Sequence, residues 1–315
     1  MKFPLTLADI QSAHQRISPF IHRTPVMTSE LVSEIAGCEL FFKCENFQKI
    51  GAFKARGGLN AVLSLPEEQR QSGVVTHSSG NHAQAIAMAA KMAGVPAYIV
   101  MPETAPEIKK KGVASYGAQI TFCKPTQQSR EETAANIQQE TGATFISPYN
   151  DYDVIAGQAT ASLELYDEVE NLDALITPVG GGGLTAGAAL VTHYFSPKTK
   201  LYAGEPDGAK DTYVSLQNGT LTPVENPSSI ADGLLATMGD KNFDIIKEVI
   251  EAVFLVTDPK IVGAMRMIWE RMKIIIEPSA AVPVAAILDN KATFEGKRVG
   301  VILSGGNVDL AKLPF

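Results

Sequence analysis

From Gly73 onward the chain alternates short β-branched apolar runs with stretches whose apolar positions recur every three or four residues. Val74-Val75-Thr76 reads as a strand, and Ala83, Ile86, Ala87 and Ala90 form the apolar stripe of a helix closed by Gly94. Pro96 to Met101 reads as the next strand. The series continues with a helix from about Pro106 to Gly117 and a strand at Ile120-Thr121-Phe122. A Ser129/Glu132 capping box then opens a helix stopped by Gly142, and residues 143–146 supply a further strand. Strands joined by helices pair in parallel through right-handed crossovers, so this stretch predicts a parallel sheet with helices on both faces.

The alternation resumes with a helix from about Val154 to Val169, the apolar run Ala174 to Val179, a helix from Leu184, and strands at Lys200 to Gly204 and Arg298 to Leu303. Chemistry-bearing residues also precede Gly73. The expected fold is therefore α/β, with a larger discontinuous domain, residues 1–67 and 152–315, around a smaller inserted domain, residues 68–151. Ligands in such folds sit beyond the carboxyl ends of the strands.

Composition narrows the function classes. With 45% hydrophobic and 19% charged residues in 315, the chain can bury a substantial core. A net charge of −7, with Lys109-Lys110-Lys111 as the one basic run, argues against a nucleic-acid partner. Cys38, Cys44 and Cys123 are odd in number and not spaced as metal ligands, which predicts reduced thiols in a cytoplasmic protein. Asp9 arrives before any signal-like stretch develops, and Lys91 interrupts the longest apolar region, so neither a secretion signal nor a membrane span is expected.

Gly180, Gly181, Gly182 and Gly183 follow the strand-like run ending at Val179 and precede a helix. A strand feeding side-chain-free residues into a helix start presents several N–H groups at one point, as phosphate sites do. A mobile turn would use the same letters. Neither the P-loop nor the spaced dinucleotide motif is present, which favours a phosphorylated small molecule over a nucleotide.

Lys54 stands among small and apolar neighbours in Gly51-Ala52-Phe53-Lys54-Ala55-Arg56-Gly57. Burial and the nearby Arg56 would both disfavour its ammonium and suit it to form an imine with an aldehyde; a solvated surface lysine is the alternative. His77-Ser78-Ser79-Gly80-Asn81-His82 opens a helix, where it would either bind a carboxylate or simply cap. Ser304, at the end of the last strand, could meet a heteroaromatic nitrogen or sit in a tight turn.

Together these motifs resemble the fold-type II pyridoxal phosphate enzymes, the tryptophan synthase β-like fold of two doubly wound open twisted sheets. The resemblance is specifically to the group of serine racemases, threonine dehydratases and threo-3-hydroxyaspartate dehydratases. It runs over nearly the whole chain, on the Lys54 and Asn81 motifs, Pro178-Val179 with the glycines, and Ser304-Gly305-Gly306-Asn307. It implies that Lys54 carries the cofactor covalently, Phe53 packs beside its ring, Asn81 meets the ring's 3-oxygen, the four glycines hold its phosphate and Ser304 its ring nitrogen. The substrate carboxylate would lie on Ser78, Ser79, Gly80, Asn81 and His82.

Ser79 stands where threonine dehydratases usually carry Ala, and the resemblance makes it a second proton-exchanging group, as racemisation needs. Glu205, Asp211 and the Ala209 carbonyl resemble the family's loop for magnesium, calcium or manganese; read alone, they make an acidic surface loop. Arg130 would reach a second substrate carboxylate or pair on its own helix with Glu131 or the neighbours of Glu132. The expected activity is racemisation and β-elimination of a small β-hydroxy amino acid, most simply serine, by a homodimer. Dehydration of L-threo-3-hydroxyaspartate or threonine is the alternative. From another class, a non-catalytic sensor of a phosphorylated ligand would need the glycines but not Lys54.

Overall fold

The computed structural model describes residues 3–105 and 107–315, with Ile108 described by its backbone alone. In chain order the elements begin α1 (Leu7–Ile17), β1 (Val26–Met27), α2 (Glu30–Ala36), β2 (Glu39–Cys44), α3 (Lys54–Ser64) and α4 (Glu67–Gln71). Next come β3 (Val74–His77), α5 (Asn81–Ala93), β4 (Ala97–Pro102), α6 (Glu107–Ala114), β5 (Gln119–Cys123), α7 (Gln127–Thr141) and β6 (Thr144–Phe145). The chain continues through α8 (Tyr152–Glu168), β7 (Ala174–Pro178), α9 (Gly183–Phe195), β8 (Lys200–Pro206), α10 (Asp211–Asn218), α11 (Asp240–Val249) and β9 (Ile250–Val256). It closes with α12 (Asp258–Met272), α13 (Pro278–Asp289), α14 (Lys291–Phe294) and β10 (Arg298–Leu303).

Two sheets result. One has six strands in the order β1-β2-β10-β7-β8-β9, the other four in the order β5-β4-β3-β6. Pairing is parallel throughout except for β1 against β2. The order of the large sheet jumps in sequence between β2, β10 and β7, so the segment holding the small sheet leaves after β2 and the chain re-enters at β7. Strand ends at such a switch point form a crevice.

Strands buried along nearly their whole length explain the layering. All five residues of β7 are buried, as are five of the six in β10, which requires helices on both faces. One core, with Phe42, Val301 and Val282, lies between the large sheet and α12 and α13. A second, with Ile155, Leu190 and Ile302, lies under α8 and α9. Leu59 and Val62 of α3 pack with Val74 and Ile86 in a third, and the helix that begins at Lys54 lies against α5 and α8.

The strands fall where the apolar runs place them, and Gly94 and Gly142 close α5 and α7 in the left-handed conformation. Two helix boundaries differ. The cap of α7 is Thr126, whose hydroxyl accepts the Ser129 N–H at 3.2 Å; Ser129 is already inside the helix, and its hydroxyl accepts from the Lys124 N–H. Glu132 accepts from Gln128 one turn back instead of completing a box. The helix after β4 ends at Ala114, with Gly117 in the turn beyond, and its expected start at Pro106 lies outside the described residues.

Candidate active site

The segment before α3 is zipped to the end of β10. Phe53 N–H donates to the Ser304 carbonyl at 3.0 Å, Ala52 bridges Gly305, and Gly306 N–H donates to the Gly51 carbonyl. These contacts carry Phe53, Lys54 and Ser304 together to the carboxyl edge of the large sheet. Ile50 is held at φ +59°, a costly conformation for a β-branched residue, and its carbonyl accepts from Asn307 Nδ2 at 2.7 Å.

Lys54 is half-buried at the start of α3. Its Nζ donates to the Pro148 carbonyl at 2.6 Å and stands 5.1 Å from the centre of the Phe53 ring. Burial lowers its pKa to about 8. Arg56 has no share in that shift, contrary to expectation, because its charge is already matched by carboxylates. Nε and Nη2 reach Glu45 at 2.8 Å, Nη1 and Nη2 reach Glu164 at 2.8 Å, and Nη1 also reaches Thr160 at 3.1 Å. Lys43, likewise buried, reaches Glu164 at 2.8 Å and the Thr24 carbonyl at 2.6 Å.

Across the crevice, β3 runs into Ser78, Ser79 and Gly80, and α5 begins at Asn81. Neither Ser79 nor Asn81 caps it: the cap position is Gly80, with no side-chain hydrogen bond. The helix start is thus left available to an anion. Asn81 is oriented by protein groups, donating through Nδ2 to both oxygens of Glu277 at 3.0 and 3.2 Å and accepting from Asn307 Nδ2 at 2.8 Å. Glu277 also accepts the Asn307 N–H at 3.1 Å. Burial pushes its carboxyl up to about 7, against the pull of the Asn81 hydrogen bond. His82 is buried, with Nε2 3.3 Å from the Ile146 carbonyl and Nδ1 without a partner among the described residues; burial pushes its pKa down to about 3.

Arg130 is half-buried on α7, and its Nε is buried without a partner among the described residues. The pairing along its own helix is not formed: Glu131 accepts from Gln127 and Glu132 from Gln128.

The glycines are wholly buried. Among the described residues, the N–H groups of Gly180, Gly181 and Gly182 find no backbone or side-chain acceptor. A Cβ at Gly180 would stand 2.7 Å from the Leu234 backbone, one at Gly181 2.5 Å from the Tyr149 ring, and one at Gly182 would strike Met238 Sδ. Gly182 also has φ +92°. Unpaired buried donors in a loop that excludes side chains fit a phosphate, and the half-buried Lys54, which meets no carboxylate among the described residues, fits an aldehyde partner.

Glu205, Ala209 and Asp211 are buried where β8 meets α10. Glu205 accepts the Thr212 and Tyr213 N–H groups at 2.8 and 2.9 Å, and Asp211 accepts the Met238 N–H at 2.7 Å. Burial raises both carboxyls, that of Glu205 to about 7. Among the described residues no group of three or more His, Cys, Asp or Glu gathers for a metal, and this set has two carboxylates and a carbonyl.

Other parts of the site escape a reading of motifs. The loop joining β6 to α8 supplies Pro148 to Lys54 and Tyr149 to the glycines, yet its letters are those of any polar connection. Glu277 precedes a proline-opened helix, which reads as ordinary helix-start chemistry. Lys109 on α6 meets Asp232 at 2.5 Å, joining the two sheet units beside Glu277.

Comparison with known proteins agrees with this geometry. The family model "Pyridoxal-phosphate dependent enzyme" matches residues 17–305. The chain is 51% identical to a serine racemase of Dictyostelium discoideum, over 98% of this chain and 97% of that protein. It is 49% identical to a beta-hydroxyaspartate dehydratase of Paracoccus denitrificans (strain Pd 1222), over 98% of each. The crystal structure of the Dictyostelium serine racemase superposes with a TM-score of 0.93, covering 97% of this chain and 99% of that one. Maize serine racemase does so with a TM-score of 0.96 at 43% identity, covering 98% and 95%. With its buried glycine loop, its desolvated lysine and this kinship over nearly its whole length, the chain belongs to the pyridoxal-phosphate dependent enzymes.

Proposed function

We propose that this enzyme racemises serine and eliminates water from small β-hydroxy amino acids, giving a keto acid and ammonia. The observation that carries the reading is Lys54, a half-buried amine with no counter-charge among the described residues and a pKa of about 8, across the crevice from a helix start left uncapped beside Ser79. Bound pyridoxal phosphate supplies an electron sink for the charge left at the α-carbon. The glycine N–H groups would hold its phosphate, Ser304 its ring nitrogen and Asn81 its 3-oxygen, with Phe53 beside the ring. The Ser78–His82 turn holds the substrate carboxylate. Lys54 Nζ, a desolvated amine at the crevice, would be the base that takes the α-proton. Ser79 Oγ exchanges a proton on the other face.

Arg130 supports a second reading, dehydration of L-threo-3-hydroxyaspartate, because a buried guanidinium nitrogen without a partner suits a second substrate carboxylate. Threonine offers it none. Glu205, Asp211 and the Ala209 carbonyl are proposed to hold magnesium, calcium or manganese, supported by two buried carboxyls that pair with no basic side chain among the described residues. The small sheet lies wholly within residues 74–145, which supports a mobile domain of residues 68–151 against 1–67 and 152–315. Free thiols at all three cysteines fit a cytoplasmic setting, and among the described residues no helix is long and apolar enough to cross a membrane. The resemblance supports a homodimer, which sedimentation checks.

Product analysis with L-serine, D-serine, L-threonine and both threo-3-hydroxyaspartates, with and without magnesium and chelator, tests the proposal. Ser79→Ala is expected to abolish serine racemisation while elimination continues. Racemisation that survives this change refutes the two-base arrangement, and indifference to chelator refutes the cation.

A further inference from the structure

We infer that Asn242 is a positioning residue for the cofactor phosphate: it fixes the peptide plane between Gly181 and Gly182 so that the Gly182 N–H faces the cradle. The inference rests on the assignment of the phosphate to the glycines.

Asn242 is completely buried in the first turn of α11. Its Nδ2 donates to the Gly181 carbonyl at 2.6 Å and to the Tyr149 carbonyl at 3.1 Å. The Gly181 carbonyl also accepts the Gly239 N–H at 3.2 Å. In a trans peptide the carbonyl and the following N–H point in opposite directions. Two donors from the α11 side therefore hold the Gly181 oxygen toward α11 and aim the Gly182 N–H away from it.

Glycine on both sides of this plane makes such a restraint necessary, because the backbone alone permits either orientation. Met238 blocks any side chain at Gly182, and the Met238 N–H is held by Asp211 at 2.7 Å. Residues 238–242 are thus anchored at one end by a carboxylate and grip the glycine loop at the other. A phosphate meets N–H groups already aimed at it, and no ordering of the loop opposes binding.

Equilibrium binding of pyridoxal phosphate and of pyridoxal, which lacks the phosphate, tests this on the full-length enzyme. Asn242→Asp keeps the shape but cannot donate to Gly181, and Asn242→Ala serves if the buried charge prevents folding. Losing one charge-assisted hydrogen bond corresponds to about a 10- to 100-fold weaker affinity for pyridoxal phosphate. Pyridoxal affinity is expected to hold, and the phosphorus resonance of the bound cofactor to shift. Unchanged pyridoxal phosphate affinity, or equal weakening of both ligands, overturns the inference. Gly182→Ala separates the two levels: if it also leaves pyridoxal phosphate affinity unchanged, the cradle assignment itself fails. If Gly182→Ala weakens binding and the Asn242 variants do not, only the role of Asn242 falls.

Discussion

Lys54 and Arg56 are two residues apart in one helical turn and carry the same formal charge, yet their surroundings make them opposites. Arg56 is completely enclosed, and its donors meet Glu45, Glu164 and Thr160. Lys54 meets one neutral carbonyl. At about 100° per residue, i and i+2 face nearly opposite sides of a helix. Desolvation acts on both; carboxylates compensate it for Arg56 alone, whose pKa is raised while that of Lys54 is lowered to about 8. Burial with counter-charges gives a structural bolt. Burial without them gives a reactive amine.

The sharpest way to break this contrast is to remove the amine. Lys54→Ala is expected to lower turnover by more than about 1000-fold, since it removes both covalent attachment and the general base, and to leave a protein that still folds. Steady-state rates together with circular dichroism check both halves. Arg56→Met should do the reverse, leaving Glu45 and Glu164 buried and short of partners, at a cost of about 3–5 kcal/mol in a urea titration. A small stability loss there would mean that the bolt is ornamental.

Proton linkage probes Lys54 more gently. Its pKa is lowered from 10.5 to about 8 in the folded chain. The cost of its charge is therefore present in full below about pH 8 and is relieved as pH rises toward 10.5. Cofactor-free Lys54→Met should be more stable than the parent at pH 7, with the difference shrinking between pH 8 and 10.5 in denaturant titrations. A constant difference across that range would contradict a desolvated amine. The smallest effect is expected from Thr160→Val, which withdraws one partner from Arg56 and should cost about 1 kcal/mol by thermal unfolding, with activity retained.

Much of this was legible in the sequence because it is periodic or local. The β-branched runs around Val75, Ile99 and Ile176 become strands since nothing nearby competes with their apolar patterning. The glycines and the Ser78–His82 turn declare themselves by composition. What stayed hidden depends on distant partners. Arg56 reads as a neighbour that lowers the pKa of Lys54 until Glu164, 108 positions away, is seen to neutralise it. Asn242 looks like any polar residue of an amphipathic helix, and Pro148 contributes only a backbone oxygen, which no side-chain motif can encode. Ser129 was a plausible cap, overridden by Thr126 three residues earlier.

The bolt also has a timetable. Glu45 and Arg56 are 11 residues apart, so a chain made from its amino end offers them together early, whereas Glu164 emerges much later. Until then two of the guanidinium's three partners, Thr160 and Glu164, are missing. In a chain made from its amino end, the helix that carries the lysine therefore lacks the partners that lock its arginine until the segment beyond the inserted sheet has been made.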